Sequence, residues 1–111
     1  MKYRVKDLYE QHAQQLGLEL TAGKEGLTRR IHVPEAQRPG LSLSGYLKNR
    51  SDKRILIFGK VEIEYLRDLD AHTRIQRLEA LLTQQTPAVI IARRYRPLKE
   101  LKAICERNQI P

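Results

Sequence analysis

Few residues in this 111-residue sequence have the type and spacing to do chemistry. Phosphate handling is the first to test, because a glycine turn ending in lysine can cradle an anion with backbone amides. Gly17 to Lys24 approaches the Gly-x-x-x-x-Gly-Lys-Ser/Thr pattern but fails it. Five residues separate Gly17 from Gly23 where four are needed, and Glu25 stands where a magnesium-binding hydroxyl belongs. Gly59-Lys60 is better placed, at a predicted strand end, yet position 54 is Arg instead of the earlier Gly. What remains there is a weaker anion site at a helix start, opposed by Glu62 in the first turn. His12, His32 and His72 fall in separate predicted elements with no pair four apart, so their spacing supplies no metal site. The single Cys105 has no partner for a disulfide or a zinc knuckle. Its place on an apolar stripe with Leu98 and Leu101 suits a small buried hydrophobe better than a nucleophile. The acidic pairs Glu62/Glu64 and Asp68/Asp70 read as solvated faces. No catalytic, cofactor-binding or metal-binding constellation emerges.

Charge is the stronger signal. With 21 Lys and Arg against 13 Asp and Glu, the net charge is +8, shared by both halves of the chain instead of concentrated in a tail. Local concentrations occur at Arg29-Arg30, across Lys48 to Arg54, and at Arg93-Arg94 with Arg96. Such clusters gather anions over about one Debye length, roughly 8 Å at physiological salt. Nucleic acid, a phosphorylated ligand and an acidic protein are the partners this charge admits. Arg94-Tyr95-Arg96 interleaves basic and aromatic character as single-strand binders do, but one triplet does not make a stacking platform. The longest apolar run, Ala88 to Ala92, is far short of the roughly 18 residues that span a bilayer. No membrane segment or signal-like core is expected, and the one cysteine suits a reducing, cytoplasmic setting.

These residues are positioned by a predicted alternation of helices and short strands. Val5, Leu8, His12 and Leu16 recur at helical spacing and Gly17 follows as a C-cap, predicting a helix over 5–16. Leu18 to Thr21 alternates like a strand, Ala22 to Gly26 turns, and Ile31-His32-Val33 is a second extended run, together suggesting a hairpin-like pair of edge strands. Between Pro34 and Gly45 the prolines and glycines predict a structured loop that enters a short helix at Leu41 to Tyr46. Ile55 to Phe58 and Pro87 to Ala92 read as strands covered on both faces, which requires helices on both sides of a sheet. Val61 to Leu69 fits either a strand, through Val61, Ile63 and Tyr65, or a helix, through Ile63, Leu66 and Leu69. Asp70 can cap a helix with the stripe Ile75, Leu78, Leu81 and Leu82, and a last helix starts after Pro97. The fold class is α/β, one domain over 1–111, with small sheets flanked by helices.

The loop Arg38-Pro39-Gly40-Leu41 with Gly45-Tyr46, then Gly59-Lys60-Val61-Glu62 and Tyr65-Leu66, resembles the N-terminal domain of HPr kinase/phosphorylases. The order of the other segments is also similar, from Val5-Lys6-Asp7-Leu8 through Gly26-Leu27, Arg30-Ile31 and Val33-Pro34-Glu35 to Pro87-Ala88-Val89-Ile90-Ile91 and Asn108-Gln109-Ile110-Pro111. The resemblance implies a bacterial, cytosolic, bifunctional enzyme that phosphorylates and dephosphorylates a serine of HPr in carbon catabolite regulation, using ATP or pyrophosphate with Mg²⁺. It places that chemistry on a separate C-terminal phosphate-binding-loop domain absent from this chain, and implies an oligomeric, typically hexameric parent. This chain then corresponds to the noncatalytic N-terminal domain, similar to those of muramyl-peptide ligases. Its implied partners are its own C-terminal kinase domain or HPr. Leu47-Lys48-Asn49-Arg50 and Arg93-Arg94-Tyr95 depart from the family pattern, and both changes add positive charge. The expected partner or anion surface comprises Arg38, Gly40, Tyr46, Gly59, Lys60, Arg93, Arg94 and Arg96. The alternative is a stand-alone basic module for nucleic acid or a phosphorylated ligand.

Overall fold

The computed structural model describes residues 3–33, 35–39, 43–44, 53–92 and 95–111. Helix α1 spans Val5–Leu16; the Asp7 carboxylate accepts the Arg4 N–H at 2.9 Å, and Gly17 ends the helix in the left-handed region at φ 68°. A 3-10 turn, Lys24–Thr28, leads to strand β1 at Ala36–Gln37, strand β2 at Ile55–Phe58 and helix α2 at Lys60–Asp68. Helix α3 at Ala71–Leu81, strand β3 at Val89–Ile91 and helix α4 at Lys99–Asn108 complete the order. The three strands form one parallel sheet in the order β1-β2-β3, with Ala36 opposite Ile55 and Leu56 opposite Val89.

Alternation along β2 builds two cores. Leu56 and Phe58, with Val89 and Ile91 beside them, face the larger core of Ile63, Leu66, Leu78, Leu81, Leu101 and Ile104 from α2, α3 and α4. Ile55, with Ala88 and Ile90, faces the opposite way onto Val5 and Leu8 of α1 and onto Leu27 and Ile31. Helical layers therefore cover both sides of the sheet, as the two apolar strands require. Burial varies along the strands: Ile55, Leu56 and Phe58 are buried, whereas Ile57 and all of Val89 to Ile91 are half-buried. Leu16 and Ile75, both assigned to apolar stripes by spacing, are 61% and 38% exposed.

Three expectations change. Leu18 to Thr21 is not a strand, although its alternation is real, with Leu18 and Leu20 half-buried and Glu19 and Thr21 exposed. The extended run after the turn instead pairs with the residues before α1, through an antiparallel bridge between Arg4 and Arg30 and the bonds Val5 N–H to Arg29 O and Ile31 N–H to Tyr3 O. Ala36–Gln37, read as loop, is a strand; neither residue is a strong strand former, and pairing with β2 supplies the order that local preference does not. The ambiguity at Val61 to Leu69 resolves to helix, because Ile63 and Leu66 are buried while Val61, which would share a strand face with Ile63, is 66% exposed. The predicted short helix at Leu41 to Tyr46 lies largely outside the described residues.

Candidate functional site

The C-terminal ends of parallel strands are where α/β folds usually place ligands. Arg38 follows β1 and Gly59-Lys60 follows β2, so the sheet brings these expected site residues to one edge. What they meet there is Glu62. Its Oε1 accepts the Gly59 N–H at 2.9 Å and an Arg38 Nη2–H at 2.8 Å, while Oε2 accepts from Arg38 Nε at 3.3 Å. Burial alone would raise the Glu62 pKa, but the Arg38 hydrogen bonds, the Gly59 amide and the Arg38 charge together hold it below the ordinary carboxylate value. Glu62 is thus a buried internal anion, not part of a solvated pair. Glu64 is the exposed member, 3.8 Å from Lys60. An internal carboxylate therefore occupies the helix-start amide where the sequence suggests a weak external anion site. The residues at this turn do not fit a nucleotide phosphate.

The opposite edge of the sheet carries a cavity of about 400 Å³ lined by Arg29, Arg30, His32, Lys53, Gln84 and Gln85. Parallel pairing explains the convergence: Lys53 stands shortly before β2 and Gln85 shortly before β3, so residues distant in sequence enter the sheet side by side. Arg29 forms the structural wall. Its guanidinium donates to the carbonyls of Gln84 at 2.6 Å, Thr86 at 2.9 Å, Asn108 at 2.8 Å and Gln109 at 3.0 Å. Partial burial lowers its pKa from the ordinary arginine value. These bonds tie the 3-10 turn to the α3–β3 loop and to the C-terminal end of α4, where carbonyls lack helical partners. The sequence clusters to which Arg29, Arg30 and Lys53 belong signal the charge, but the meeting of these three residues with His32, Gln84 and Gln85 has no local signature.

The other candidates separate. Arg96 is exposed in the segment before α4, whereas Tyr95, its aromatic neighbour, packs partly buried against the larger core. Gly40, Tyr46, Arg93 and Arg94 lie outside the described residues, as do Leu47 to Arg50. Cys105 is buried, and desolvation, with a smaller contribution from Glu106, pushes its thiol up to about 11, which keeps it protonated at neutral pH. Among the described residues no helix is long and apolar enough to cross a membrane.

The sequence matches one family model, the HPr Serine kinase N terminus, over residues 3–111. The chain belongs to that family. It is 36% identical over 110 residues to the HPr kinase/phosphorylase of Bacillus pumilus, covering 99% of this chain and 34% of the relative. Against the HPr kinase/phosphorylase of Bacillus subtilis the identity is 34% with the same coverage. The HPr kinase/phosphorylase of Listeria monocytogenes serotype 4a is 36% identical over 107 residues, covering 96% of this chain and 33% of the relative. The chain thus spans about a third of the length of the curated relatives it matches. In this HPr Serine kinase N-terminal chain, the motif residues Arg38, Gly59 and Glu62 form one bonded unit that fixes the start of α2 against β1.

Proposed function

We propose that this chain serves as the noncatalytic N-terminal domain of an HPr kinase/phosphorylase, acting in assembly or regulation. The observation that carries the reading is the family match over 3–111, set against relatives three times as long. The sequence has no Gly-x-x-x-x-Gly-Lys-Ser/Thr loop, and the Gly59 amide is taken by Glu62. Phosphorylation and dephosphorylation of HPr with ATP or pyrophosphate and Mg²⁺ would belong to a phosphate-binding-loop domain outside these residues, in a cytoplasmic, oligomeric parent. The exposed Arg38 and Lys60 at the C-terminal ends of the strands, and the exposed Arg96 before α4, are the described residues of the expected surface that this reading offers to that domain or to HPr.

The test is direct. Incubated with HPr, Mg²⁺ and either ATP or pyrophosphate, the purified 111-residue chain leaves HPr without phosphoserine by mass spectrometry. Reading the gene past codon 111 is expected to reveal the phosphate-binding loop. Modification of HPr by the 111-residue chain alone would overturn the proposal.

A further inference from the structure

The cavity at the N-terminal edge of the sheet is not accounted for by the family reading. Arg30, His32 and Lys53 are exposed on its wall, and among the described residues none of their side chains has a hydrogen bond or ion pair. Among the described residues, none that lines it is acidic. The nearby Glu35 answers Arg54 at 3.5 Å, leaving Lys53 unneutralised among the described residues. The third cation, Arg29, cannot turn away, because its four carbonyl acceptors hold it in the wall. Like charges gathered in a concavity repel one another, and an anion relieves that repulsion.

The geometry points to a binding site for the phosphate group of a small phosphorylated molecule, held by Arg30, Lys53 and His32 against the fixed Arg29 wall. A phosphate dianion offers several acceptor oxygens to donors arriving from different elements, which suits a guanidinium, an ammonium and an imidazole together with the Gln84 and Gln85 amides. A cavity of about 400 Å³ lies in the size range of small-molecule sites. Nucleic acid fits less well, since among the described residues no aromatic ring lines the cavity to stack a base. This inference goes beyond the assembly role and stands independently of it, since its site is contained in the chain itself.

Titration of the isotope-labelled 111-residue chain with inorganic phosphate and, separately, glycerol 3-phosphate at constant ionic strength tests it. Saturable NMR shifts centred on Arg30, His32 and Lys53 are expected. Binding of both probes supports the inference, whereas binding of inorganic phosphate alone, with glycerol 3-phosphate excluded, would show a free-anion site and overturn it. Arg30→Gln and Lys53→Gln each weaken binding roughly tenfold. Arg67→Gln, which removes an exposed charge elsewhere, leaves binding unchanged. Thermal melts check that the variants stay folded. Non-saturating shifts spread over all the basic residues, equal weakening by Arg67→Gln, or tighter binding of a single-stranded oligonucleotide at the same residues would overturn the assignment.

Discussion

Arg29 and Arg30 stand side by side in the sequence, yet one is an internal clamp and the other presents its charge to a cavity. The difference is geometric: only Arg29 reaches the carbonyls of Gln84, Thr86, Asn108 and Gln109. A lysine keeps the charge but not the planar fork. Arg29→Lys is therefore expected to cost about 2–3 kcal/mol, after allowing for the solvent that reaches this half-exposed side chain. Urea unfolding measures it, and a loss below about 0.5 kcal/mol would contradict the clamp. Glu62 makes a pH-dependent contribution. A carboxyl held below its unfolded value adds stability that is complete above about pH 4.3 and is lost as pH falls through the lower folded value. Glu62→Gln is expected to cost about 1–2 kcal/mol at pH 7, through the weakened cap and ion pair. The stability gap between the two proteins should narrow on acidification to pH 3, and a gap that widens would show that another group dominates.

At the scale of elements, β2 was legible from its apolar run and α3 from Asp70, whose Oδ1 accepts the Thr73 N–H at 2.8 Å. Helix α4 followed Pro97 as expected, and its stripe of Leu101, Ile104 and Cys105 is buried. What the run Ile55 to Phe58 could not reveal is that its two faces are unequal, because all four residues are apolar and only the thickness of the opposing layer tells them apart. Three helices pack on the Leu56/Phe58 face, whereas the other face receives one end of α1 and the 3-10 turn. Phe58→Ala is expected to cost about 3–5 kcal/mol, whereas Ile57→Ala costs about 1–2 kcal/mol. Equal losses in chemical denaturation would mean that both faces are equally covered. Arg74 further joins elements, donating to Leu66 O at 2.8 Å and Leu69 O at 2.9 Å at the end of α2 and meeting Glu100 of α4 at 3.0 Å.

Across the whole molecule, the last residues lock the first third to the sheet. Gly23 and Gly26 lie so close to the backbone of Ile110 and Gln109 that neither has room for a side chain. Gly23 also takes φ 65° and donates its N–H to Glu106 Oε1 at 2.8 Å. Ile110 is fully buried, and the Pro111 carbonyl accepts the Val89 N–H at 2.9 Å. Gly26→Ala is expected to separate these segments and destabilise by about 2–4 kcal/mol. Hydrogen exchange at Val89 should then quicken in step with exchange at Arg29 and Ile31. Unchanged protection at Val89 would show that the two ends are not coupled.

By itself the sequence determined the α/β class, most of the elements and the family, because apolar periodicity, caps and ordered motifs are local or follow chain order. The tertiary structure alone decided that Glu62 is an internal anion, that Arg29 clamps the carbonyls of two distant segments, and that Arg30, His32 and Lys53 share a cavity. Those outcomes depend on which strands lie side by side, and pairing between segments tens of residues apart leaves no periodic trace in the chain.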